Sequence, residues 1–238
     1  MHQPDAERQG VLPDNKQAVT RRLAGCLVWA AVAGLSLWPV LIAAASPYIV
    51  GRSAVYIAAG LAGALSLALL FVQPLLAAGL LPGLTGLHGR RWHRVAGFLI
   101  VAAVAVHIGG LYITSPPDAL DALLLVSPTP FSIYGVAAMW GLVLTVVLVA
   151  FRKHLRLRPL AWRIIHNALV AGVVATSVAH ALLIEGTMGS LSKIVLCSCA
   201  VLTTAAVTLY LRVIKPRRKR EALAQKAHGT ASDLSARS

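Results

Sequence analysis

Six apolar runs divide the chain, at about 22–45, 54–81, 92–114, 131–151, 162–184 and 191–213. Each is close to or longer than the ~20 residues that carry an α-helix across a bilayer. Lipid offers no water to backbone N–H and C=O groups, so such runs must satisfy their hydrogen bonds internally as helices. Pro74 falls within the second run and is expected to kink it or end it early. The pattern predicts an all-α membrane protein, a six-transmembrane-helix bundle over residues 22–213. A polar N-terminal tail, 1–21, contains Pro4 and Pro13, and a basic, then polar, tail follows at 214–238. The first run starts late, is too long for the core of a signal peptide and has no small-residue cleavage pattern after it.

Composition agrees with the pattern. Of the 238 residues, 58% are hydrophobic and 13% charged, with a mean hydropathy of +0.75. A soluble domain carries about a quarter charged residues. The formal net charge is +14, but its placement argues against nucleic acid as a partner. The basic residues cluster at the ends of the apolar runs and form no stripe interleaved with exposed aromatics. Counted by loop, 20 of the 22 Lys and Arg fall on the side of the two termini, leaving Arg52 and Lys193 on the other. By the positive-inside rule both termini are expected to be cytoplasmic. The connection at 115–130, with four prolines and two aspartates, is the longest and is expected to cover the outer face. The 25 residues after 213 are too few for a flavin- or nicotinamide-binding domain, and none is expected on this chain. Cys26, Cys197 and Cys199 lie in apolar runs and read as small packing residues.

The candidate chemistry lies in histidine. His2, His88, His154 and His228 fall in tails or basic loops and read as solvated or headgroup-facing. The other four form pairs within apolar runs: His93 and His107 on the third span, His166 and His180 on the fifth. Each pair is 14 residues apart, just under four helical turns, so its members share a face about 21 Å apart along the axis. The third and fifth spans run in the same direction. Packed side by side, they would bring His93 to the depth of His166 and His107 to the depth of His180. Ionisable groups within a membrane are costly and mark function. Two depth-matched imidazole pairs are what two six-coordinate b-type hemes require as axial ligands. With both axial positions filled, such hemes transfer electrons without coordinating a substrate. Arg90, Arg91 and Arg163 on the inner side and Arg52 on the outer are candidates to meet heme propionates.

The segments RRWHRVAGFLIVAAVAVH and WRIIHNALVAGVVATSVAH, with the six-span layout, make residues 22–213 resemble the ferric reductase-like transmembrane domain family, the membrane heme domain of ferric reductases and NADPH oxidases. The resemblance implies transmembrane electron transfer through two heme b groups, with the four histidines as axial ligands. Members of the family usually carry FAD and NAD(P)H domains after the sixth helix. This short form therefore implies a separate flavoprotein or quinol as donor and a periplasmic acceptor, with a bacterial inner membrane as the expected location. The heme-binding membrane subunit of periplasmic methionine sulfoxide reductase systems is a similar short relative. From the residues themselves two other readings stay open: a proton-coupled transporter with a histidine relay, and a non-catalytic assembly or anchor subunit.

Overall fold

A computed structural model describes residues 15–217, with 221 and 225; the tail expectations at 1–14 and beyond 217, with His2 and His228, lie outside these or largely so. The described residues form helices and no strand. The six long helices are α1 (Asn15–Ala44), α2 (Ala54–Ala78), α3 (Gly86–Thr114), α5 (Pro130–Ala150), α6 (Pro159–Leu183) and α7 (Ser190–Leu209). All six are long and apolar enough to cross a membrane. An eight-residue helix, α4 (Pro116–Leu123), lies between α3 and α5.

Local chemistry sets the boundaries. Ser53 caps α2, its hydroxyl accepting from the Tyr56 N–H at 3.3 Å. Gly79 ends that helix at φ 67°, a left-handed conformation that side chains resist. Pro116, Pro130 and Pro159 stand in the first turns of α4, α5 and α6, where the missing N–H leaves no donor unpaired. Pro74 does not end α2, which continues to Ala78. The first helix begins at Asn15, seven residues before the apolar run, and the third at Gly86, six before. In both cases polar residues complete the turns that lead into the apolar part.

α2 is the central element. It packs against α1, α3 and α7, and more lightly against α6. Its buried face is rich in small side chains, Ala59, Ala64 and Ala68 among them, with Leu67, Leu70 and Phe71. Small residues let helices approach closely in lipid, where apolar burial alone gives no drive to associate. Large apolar side chains point outward instead: Leu27 and Phe98 are each 71% exposed. In water so wide an apolar exterior would aggregate; against acyl chains it is the expected surface. α3 packs chiefly on α2, and α6 chiefly on α5. The molecule thus holds two helical hairpins, α2–α3 and α5–α6, whose histidine-bearing helices are not in extended contact with each other. This corrects the side-by-side packing expected from sequence: a gap separates α3 from α6, and side chains cross it.

Candidate functional site

His107 and His180 reach toward each other across that gap. Their ring centres are 6.4 Å apart and their planes are inclined by 77°. An imidazole nitrogen bonds a transition metal at about 2 Å, and the ring centre lies about 1 Å further, so two rings flanking one ion have centres about 6 Å apart. The observed separation has that size.

The outward nitrogens are held. His107 Nδ1 lies 2.8 Å from the Ala59 carbonyl oxygen, and His180 Nδ1 lies 2.8 Å from that of Phe131. A carbonyl can only accept, so Nδ1 carries the proton in each ring. Nε2 is then left with its lone pair, the state a metal ligand needs, and the carbonyl bond fixes the tautomer and orientation of the ring. Each ring also rests on a glycine. A Cβ at Gly63 would stand 2.9 Å from His107 Nδ1, and one at Gly135 would stand 2.7 Å from His180 Nδ1. Real Cβ contacts are not that short, so a side chain at either position would displace the ring. Carbonyl and glycine are four residues apart on each supporting helix, Ala59 and Gly63 on α2, Phe131 and Gly135 on α5. The two hairpins therefore seat His107 and His180 by the same device.

The second pair is built less evenly. His93 Nδ1 lies 3.2 Å from the Gln73 carbonyl oxygen on α2. His166 lies on α6, and its Nδ1 is buried without a partner. Its ring instead lies flat on Trp162, with centres 5.1 Å apart and planes inclined by 6°. Between the two levels, Ile100 on α3 and Val173 on α6 are seven residues past His93 and His166 respectively. They are 3% and 6% exposed and share one apolar cluster. Buried apolar side chains thus lie between the two histidine levels.

The arginine candidates are not brought to the rings by any contact of their own. Arg52 is exposed, its guanidinium 5.1 Å from the centre of the Tyr56 ring. Arg90, Arg91 and Arg163 are exposed near the other end of the bundle. The Arg163 carbonyl accepts from Arg212 at 2.5 Å. His88 and His154 are exposed, in keeping with a peripheral role. Among the cysteines, Cys197 is buried, but Cys26 is exposed on the apolar exterior and packs no core. Lys193 donates to the Ile184 carbonyl at 2.6 Å and so closes the C-terminal end of α6.

Sequence reading found the histidines but not what holds them. Ala59, Gly63, Gln73, Phe131 and Gly135 lie on the neighbouring helices, and their role depends on which turn faces which ring. One signal was present: Trp162 precedes His166 by four residues, a spacing that puts both side chains on one helix face.

Compared with protein-family models, curated proteins and solved structures, the chain finds no match. The class of protein follows from the fold alone: a multi-pass, all-helical membrane protein.

Proposed function

We propose that this protein carries electrons across a membrane through two b-type hemes, one held by His107 and His180, the other by His93 and His166. One observation carries the reading: two imidazoles face each other across a helix gap at 6.4 Å, each with Nδ1 on a backbone carbonyl. Among the described residues no group of three or more His, Cys, Asp or Glu converges on one point. Two protein nitrogens per level suit a planar macrocycle that supplies its own equatorial ligands.

When bound, heme supplies a one-electron couple at its iron. The protein's part is fixed by its own residues. Ala59 and Phe131 hold the ligating tautomer, Gly63 and Gly135 give the rings room, and Ile100 and Val173 lie between the two levels. By charge placement the ends bearing Arg90, Arg91 and Arg163 are cytoplasmic, with both termini, and the end bearing Arg52 is periplasmic, in a bacterial inner membrane. These arginines are the groups available to heme propionates at each boundary. The family proposed is the ferric reductase-like transmembrane domain. The donor is a separate flavoprotein or quinol, and the acceptor is periplasmic.

Protein purified after heme-replete expression should contain about two hemes per chain and give the reduced-minus-oxidised spectrum of low-spin bis-histidine iron. Heme-free protein would sink the proposal. His107→Ala should remove one heme and leave the other; retention of both would refute the ligand assignment.

A further inference from the structure

The four rings are not held alike. Three of them set Nδ1 against a backbone carbonyl, on Ala59, Gln73 and Phe131. His166 has no such bond and lies against the face of Trp162. The Arg152 guanidinium covers that ring as well, 4.3 Å from its centre. The Trp162 indole N–H is itself buried without a partner, so the indole is held by its ring contacts and not by a hydrogen bond. Arg152, Trp162 and His166 form a column from the loop after α5 to the inner ligand.

We propose that Trp162 is the positioning residue for His166, a ring stack in place of the carbonyl bond that orients the other three, and that the His93–His166 centre is consequently the higher in potential of the two. The inference rests on the two-heme reading. A carbonyl on Nδ1–H makes an imidazole the stronger donor, which favours oxidised iron and lowers its potential. The His107–His180 level has two such bonds and the His93–His166 level has one. Charge acts in the same direction. Arg90, Arg91, Arg94, Arg152 and Arg163 lie in or beside the segments that carry His93 and His166, whereas Asp118, Asp121 and Glu185 accompany Arg52 and Lys193 at the ends that carry His107 and His180. Cations favour the state that has gained an electron. With both hemes bound, a single electron shared between them would favour the level of His93 and His166.

The test is an optical redox titration of the purified full-length protein beside His107→Ala, which retains only the inner centre. Two one-electron waves are expected, and the wave surviving in His107→Ala should be the higher. If it is the lower, the ordering is overturned while the two-heme reading stands; protein without heme overturns both. Trp162→Phe, which keeps a ring face, should leave the inner centre's potential and low-spin EPR signal close to wild type. Trp162→Ala should shift both for the inner centre alone, and Trp162→Leu, which keeps apolar bulk, should do the same if the alanine variant does not accumulate. An inner centre unmoved by losing the ring refutes the positioning role. So does parallel loss of both centres, which would mark Trp162 as general support for the fold.

Discussion

A single hydrogen at position 63 or 135 decides whether an outer imidazole has room. Gly63→Ala places a methyl 2.9 Å from His107 Nδ1, and the ring must move off its carbonyl. Overpacking of this kind costs about 1–3 kcal/mol. The expected outcome is loss of the outer heme with the inner one kept, read as a fall from about two hemes per chain to about one. Gly135→Ala should do the same through His180. Gly60→Ala is the control: it lies on the same helix, and a Cβ there meets nothing within 4 Å. It should leave heme content unchanged. Equal heme loss in all three variants would mean that the glycines serve α2 and α5 generally and not the rings.

Helix pairing is what delivers those carbonyls. A Cβ at Gly110 on α3 would stand 2.8 Å from the Ala59 Cβ on α2, so the two helices nearly touch one turn from His107. Gly110→Leu should push α3 away from α2, lower thermal stability by about 1–3 kcal/mol and release the outer heme first. Intact heme in a stable Gly110→Leu protein would show that the hairpin tolerates separation. The other hairpin ends on Lys193. Lys193→Met removes donors to the Ile184 and Leu182 carbonyls, each hydrogen bond worth about 1 kcal/mol. A lowered Tm in detergent with both hemes present is the expected result; an unchanged Tm would place that ammonium in water or headgroups instead. Within the connection at 115–130, Pro116 starts a short helix and the Ser115 hydroxyl donates to the Asp118 carboxylate.

At the scale of the whole molecule, the proposed orientation rests on where the charges fall. The proposed arrangement puts the loop near Lys153 in the cytoplasm and the loop near Asp121 outside. Alkaline phosphatase, active only when exported, should be active when fused after residue 121 and inactive when fused after residue 153. The opposite result would reverse the assigned direction of the electron path. The molecule also shows a partial two-fold plan in which α2–α3 and α5–α6 repeat one hairpin. The repeat fails at the inner level, where Gln73 has no counterpart on α5 bonded to His166. That failure is why the two centres are expected to differ.

Hydrophobic patterning determined the six spans without tertiary information, because a helix that satisfies its own backbone bonds needs only enough apolar length to sit in lipid. The 14-residue spacing likewise determined two levels of histidine, because helical rise and twist are local properties. Neither could reveal what supports each ring. Those partners sit 20 to 49 residues away, on helices whose rotation is set by small-residue packing against neighbours. Nothing in the sequence marks the glycines at 63 and 135, and only the facing turn of α3 or α6 shows that a side chain there would meet a ring. The gap between α3 and α6 was also illegible, since it follows from each helix packing on a different partner. The histidine pairs were written in the chain; their tautomers, their separation and their unequal support were decided by the fold.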